Sequence, residues 1–226
     1  MKKFLVMIPL LFLFAGCRSD EQVARDNEAS SDISITTTSE VKNPDGDGKT
    51  LVAYFSHPVG TELDVTTGAS VMEVNGEYLG LVEQTANWIA DDVKADRFQI
   101  QANKVYPDDV GALIGEAIDE KNESQRPELA SEIDNFDQYE TNYLGYPIWH
   151  GDFPMAFYTF LESYDFAGKT VIPFNVHGGS GLAGTVETLN AELPDATVVS
   201  NALSISRNNI ADSQQEVLDW VEEVRE

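Results

Sequence analysis

The feature that most constrains this chain is its alternation of short apolar runs, rich in β-formers, with segments of helical periodicity. Residues 50–55, 96–101, 143–146, 170–176 and 196–199 read as five strands. After the first, Val82, Ala86, Ile89 and Val93 fall on one helical face. Ala112, Leu113, Ala117 and Ile118 mark a second helix, and Phe157, Phe160 and Leu161 a third that starts at Pro154. Val186 and Leu189 mark a fourth, and Ile210, Val217, Leu218, Val221 and Val224 the last. Strands that each hand over to a helix cannot pair as hairpins. The expected fold is therefore α/β, a three-layer sandwich whose five-stranded parallel sheet carries helices on both faces. Such sheets hold ligands beyond the carboxyl ends of their strands. The residues that follow strands one, three and four become the candidate site.

Charge removes several partners. The 226 residues carry 14 Lys and Arg against 39 Asp and Glu, a formal net charge of −25. No basic cluster exists to neutralise nucleic-acid phosphates or to dock on anionic lipid. Cys17 is the single cysteine, which removes an intramolecular disulfide and any thiolate cluster for zinc or iron–sulfur.

The first residues read as an address. Lys2 and Lys3 precede an apolar run of eleven residues, Phe4 to Phe14. A bilayer span needs about 20, so the run fits the core of a signal peptide. It closes on Phe14-Ala15-Gly16-Cys17, which resembles a bacterial lipobox with Phe in place of the usual Leu. The resemblance implies cleavage before an acylated Cys17. Residues 1–16 are expected to be a lipoprotein signal peptide, 17–48 the acylated cysteine and a disordered acidic linker, and 49–226 the folded domain. The expected location is extracytoplasmic, lipid-anchored to the cell membrane. Removing the leader leaves 12 basic against 39 acidic residues, a charge of −27.

Strand one ends in Ser56-His57-Pro58-Val59-Gly60, strand three in Pro147-Ile148-Trp149-His150-Gly151-Asp152, and strand four in His177-Gly178-Gly179-Ser180-Gly181. Together with Leu51-Val-Ala-Tyr-Phe-Ser56, Leu144-Gly-Tyr-Pro-Ile-Trp149, Phe160-Leu-Glu-Ser-Tyr164 and Gly168-Lys-Thr-Val-Ile-Pro-Phe174, these segments resemble a flavodoxin family common in bacteria. The resemblance covers roughly residues 49–226. It implies strand order 2-1-3-4-5, flavin mononucleotide (FMN) as cofactor, and electron transfer with a redox partner protein or a small acceptor. It places FMN against Ser56, His57, Pro58 and Gly60, against Pro147, Ile148, Trp149, His150 and Gly151, and against His177, Gly178, Gly179 and Ser180. Trp149 would stack on the flavin ring, and Asp152 would cap the third helix or accept from the flavin ribityl chain.

The phosphate turn departs from the family pattern. About twenty residues intervene between Ser56 and Gly80, and Asn75-Gly76 amid alternating residues signals an inserted β-hairpin. The helix then starts at Gly80-Leu81-Val82, where similar proteins carry Gly-Asn-Thr. Gly80 and the backbone amides of Leu81 and Val82 remain to hold phosphate, and the change Leu81→Asn with Val82→Thr is expected to tighten binding. The departure keeps a second reading open, a flavodoxin-fold lipoprotein that has lost flavin and serves as a binding or structural module. A third is an FMN-dependent quinone or NAD(P)H oxidoreductase. The dinucleotide pattern G-x-G-x-x-G at Gly179 to Gly184 lacks the acidic residue about 20 positions on and the second half-fold it requires. No metal site is expected, because no carboxylate accompanies His57, His150 and His177. The three site loops contain no Lys or Arg, so a bound flavin is expected to have a low reduction potential.

Overall fold

The computed structural model describes residues 42–43, 46–57, 71–74, 76–107 and 109–226. Cys17, the apolar leader, Pro58 and Gly60 lie outside them. The elements run β1 (Thr50–Phe55), β2 (Val71–Val74), β3 (Glu77–Gly80), α1 (Leu81–Val93), β4 (Asp96–Ile100), α2 (Val110–Asn122), β5 (Thr141–Pro147), α3 (Met155–Ser163), β6 (Thr170–His177), α4 (Thr185–Glu192), β7 (Thr197–Val198), β8 (Leu203–Ser206) and α5 (Gln214–Arg225). β1 pairs in parallel with β4 on one side and β5 on the other, and β5 pairs in parallel with β6. With β7 and β8 beyond β6, this is the expected 2-1-3-4-5 order. β2 and β3 form the separate antiparallel hairpin that Asn75-Gly76 signals.

Side chains that alternate along β1 feed two cores. Leu51, Ala53 and Phe55 join Phe98, Leu144 and Tyr146 under Leu113, Phe157 and Phe160 of α2 and α3. Val52 and Tyr54 join Tyr143, Ile172 and Phe174 under α1 and α5. Both faces of β1 are covered, which is why its sequence is continuously apolar. Trp220 is a packing residue, set edge-on to Tyr143 with its indole N–H donated to the Asn201 carbonyl at 2.8 Å.

The fifth strand is not the single run expected at residues 196–199. β7 pairs only with Thr170 and Val171 at the start of β6, and β8 pairs with Phe174 to His177 at its end. Residues 199–202 separate the two. The expected linker also ends sooner than residue 48. Asn43 donates its backbone N–H to the buried Asp96 carboxylate at 2.5 Å, and Lys42 pairs with the same carboxylate at 3.3 Å. Gly46 lies on the Lys94 carbonyl, 2.3 Å from where a Cβ would be, so residues 42–43 and 46–48 belong to the domain surface. Among the described residues no helix is long and apolar enough to cross a membrane.

Candidate functional site

Register brings the site loops together. Pro147 sits opposite Val176 in the β5–β6 ladder, so the chain leaves both strands at one level. His177 sits opposite Ser206 in the β6–β8 ladder, and the Arg207 N–H continues it to the His177 carbonyl at 2.9 Å. Beyond these ends lies a cavity of about 260 Å³, near the lower end of the range for small-molecule sites. Ile148, Trp149, His150 and Gly151 form one wall, Gly178, Ser180 and Arg207 another, and Leu113, Ile114 and Ala117 of α2 a third.

The β5 loop is a tight turn. Trp149 and Asp152 exchange backbone hydrogen bonds at 2.9 and 3.1 Å. His150 (φ 52°) and Gly151 (φ 74°) between them are both left-handed, the conformation that a type I′ turn demands at its centre. The turn is held from outside. Lys121 donates to the His150 carbonyl at 2.8 Å and pairs with Asp152 at 3.4 Å. The other Asp152 oxygen accepts from the Phe153 N–H and the Tyr158 hydroxyl. Asp152 is therefore not the cap expected for α3, whose N-terminal position is Pro154; it ties the turn to that helix through Tyr158.

Trp149 lines the cavity yet is 6% exposed. Its ring stands edge-on to Phe55 at 5.2 Å and Tyr106 at 5.6 Å. His57 packs on Tyr106 at 5.3 Å and reaches Trp149 at 6.5 Å. The indole N–H has no hydrogen-bond partner among the described residues. The β6 loop needs glycine for two reasons. Gly179 (φ 128°) and Gly181 (φ 61°) take left-handed conformations. A Cβ on Gly178 would lie 3.1–3.2 Å from the Arg207 guanidinium. The Gly179 N–H donates to His177 Nδ1 at 2.9 Å, so that nitrogen carries no proton.

Six of the sixteen candidate cofactor residues thus line one cavity: Ile148, Trp149, His150, Gly151, Gly178 and Ser180. Pro147 and His177 are the last residues of β5 and β6 behind them, Gly179 belongs to the β6 loop, His57 lies toward Trp149, and Ser56 is buried with its carbonyl accepting from Gln99 Nε2. Gly80, Leu81 and Val82 do not line it. Leu81 and Val82 are 3% and 2% exposed and pack in the core between α1, α5 and the sheet. This overturns the expectation that polar side chains at 81 and 82 would reach a phosphate. Gly80 precedes α1, and its N–H donates to the Glu83 carboxylate at 3.3 Å. Burial pushes the Glu83 carboxyl above its ordinary value, with the Gly80 amide and Arg97 opposing.

The expectation of a site without cations is corrected too. Arg207 is a cavity wall. The signal for it is the alternation Leu203-Ser-Ile-Ser206, a strand that Arg207 directly follows. Leu113, Ile114 and Ala117 belong to an apolar helical stripe that is legible in sequence, but its last turn of exposure toward the cavity is not.

Two histidines give the domain a predicted pH response. Burial lowers the His150 pKa from 6.5, Lys121 adds to the shift, and the Ile114 backbone opposes it; burial lowers His177. Both bind fewer protons folded than unfolded. Their contribution to stability is complete above the unfolded value of about 6.5 and is lost as pH falls from there through the lower folded value. The urea midpoint is expected to fall between pH 7 and pH 5. The fall should shrink in a His150→Gln, His177→Gln double variant, and an unchanged slope would assign it to other groups.

A parallel sheet in 2-1-3-4-5 order with a cavity over the ends of its third, fourth and fifth strand positions defines a doubly wound α/β protein with a candidate ligand site at its carboxyl edge. The model of the flavodoxin family matches residues 75–224, and the chain belongs to that family. No curated protein matches it. Among solved structures, a candidate flavoprotein from Bacteroides uniformis is 30% identical, with a TM-score of 0.57 over 77% of this chain and 98% of that one. One from Bacteroides eggerthii is 24% identical, with a TM-score of 0.60 over 79% and 98%. A flavoprotein from Lactobacillus acidophilus, solved in complex with FMN, is 18% identical, with a TM-score of 0.50 over 76% and 97%.

Proposed function

We propose that this domain binds FMN at the cavity beside Trp149 and works as an extracytoplasmic redox protein, tethered to the cell membrane through an acylated Cys17. The observation that carries the reading is the cavity itself, which lies beyond the carboxyl ends of the strands, where such sheets hold their ligands. Its walls are apolar at Ile148, Leu113 and Ala117, aromatic at Trp149 and polar at Ser180 and Arg207. Two buried donors, Trp149 Nε1 and Arg207 Nε, have no acceptor among the described residues, and buried donors are ordinarily paired. FMN would supply one- and two-electron chemistry. The chain's own residues would bind the ring, orient it and exclude water from one face. A redox partner protein or a small electron acceptor then takes or gives electrons at the open side.

The visible spectrum of the mature protein, isolated from cells grown with ample riboflavin, tests this reading. Yellow-flavin absorption at one FMN per chain is expected, and a colourless protein that takes up no added FMN would reject it. The tether is tested separately. Labelled fatty acid is expected on the wild-type chain and not on Cys17→Ala.

One observation favours the second reading, a family member without flavin. The start of α1 already faces the Glu83 carboxylate, which would compete with a phosphate for the positive helix end. Glu83→Gln keeps the hydrogen bond to Gly80 and removes the charge. If phosphate lies at α1, FMN affinity is expected to rise by up to about tenfold, 1.4 kcal/mol. No change would place the phosphate elsewhere in the loop after β1.

A further inference from the structure

The acidic chain leaves one cation of the site unused. Lys42, Lys49, Lys104, Lys121, Arg126 and Arg225 each pair with a carboxylate. Lys94, Arg97 and Lys169 donate to neutral oxygens instead, and the Arg207 side chain does neither among the described residues, although acidic residues outnumber basic ones 39 to 14. Its guanidinium stacks over Gly178 and forms part of the cavity wall. Its Nε is buried without an acceptor. A half-buried guanidinium with an unmatched N–H carries a desolvation cost that an anion in the cavity would offset. The position is fixed by the backbone, because Arg207 continues the β8 ladder through its N–H to the His177 carbonyl. Lys121, the other cation at this rim, is compensated by Asp152.

We propose that Arg207 is the group that holds the negative charge a bound flavin acquires on reduction, so that it sets the flavin's potential rather than merely its affinity. The proposal rests on FMN binding at this cavity. Two-electron reduction by dithionite, with uptake of one proton from water, leaves one negative charge on the flavin ring. The oxidised ring is neutral and offers Arg207 ordinary hydrogen-bond acceptors. The reduced ring offers a charged one, and charge-assisted hydrogen bonds are about twice as strong. Interaction that grows between the two states raises the potential, since the potential reports the ratio of affinities for reduced and oxidised flavin. The reading reverses the low potential that the acidic sequence alone implies.

The test is a dye-equilibrated redox titration of the full mature protein and its Arg207→Gln and Arg207→Lys variants, with FMN and riboflavin affinities measured beside it. Arg207→Gln is expected to weaken binding of reduced FMN at least tenfold relative to oxidised FMN, a fall of about 30 mV for a two-electron couple. Arg207→Lys is expected to recover most of it. A potential within 10 mV of wild type in the Gln variant, with flavin still bound, overturns the proposal and leaves FMN binding standing. Loss of FMN binding with riboflavin binding kept also overturns it, because Arg207 would then be a phosphate ligand. Loss of both flavins in a folded Gln variant overturns it as well, since Arg207 would serve oxidised and reduced forms alike. A wild-type protein that binds no flavin rejects the proposed function itself.

Discussion

Leu81→Asn combined with Val82→Thr is expected to destabilise the domain by about 4 kcal/mol rather than to improve its cofactor site. Both side chains lie in the core between α1 and the sheet, at 3% and 2% exposure. Replacing Leu forfeits roughly 1.5–3 kcal/mol of apolar burial. It also leaves a carboxamide to be buried, at a further cost of about 1–3 kcal/mol without a partner. Thr in place of Val keeps the shape but buries a hydroxyl at the second residue of α1, where no preceding helical turn offers it a carbonyl. With a total stability of about 5–15 kcal/mol for a domain, the loss should be plain in a urea melt. A midpoint equal to wild type, together with tighter FMN binding, would show that α1 starts in a different position from the one described.

Trp149→Ala is expected to cost about 3–5 kcal/mol of stability, the usual range for a buried Trp truncation, and to abolish flavin binding. The two losses have one cause. The indole ring closes the aromatic cluster of Phe55, His57 and Tyr106 on one side and forms the cavity wall on the other. Removing it opens the cavity into the core and lets the β5 turn lose its register on Asp152. Trp149→Phe separates the roles. It should keep most of the packing while reducing the area that can meet a flavin ring, so FMN affinity should fall more than stability. Equal loss in both measurements would make Trp149 a core residue whose presence at the cavity is incidental.

The sheet order and both layers of helices were legible because each central strand is predominantly apolar, broken only by Asn142 in β5 and Asn175 in β6 among its buried positions, and each helix carries its own stripe. The edge of the sheet carries a weaker signal. The fifth strand position is filled by two residues of β7 and four of β8, and the alternation of β8 is half polar because only one of its faces is covered. Missing β8 meant missing Arg207, and with it the charge of the site. The loops after β5 and β6 announced themselves through glycine, and their convergence follows from the sheet order. The fate of Leu81 and Val82 was not legible, because family spacing marks a turn but not which way its side chains point. Glu83 stood three residues past Gly80, the spacing of a capping box, and was readable as a rival to the phosphate from the outset.

The central claim is that the Trp149 cavity is a flavin site. It is tested most directly by titrating flavin-free protein with FMN while following tryptophan and flavin fluorescence. One FMN per chain should bind saturably. Both signals should be quenched, and the Trp149→Phe variant should lose most of the change in tryptophan emission although Trp88 and Trp220 remain. Saturable binding whose tryptophan quenching is the same in wild type and Trp149→Phe, or no saturable binding at all, would contradict the account.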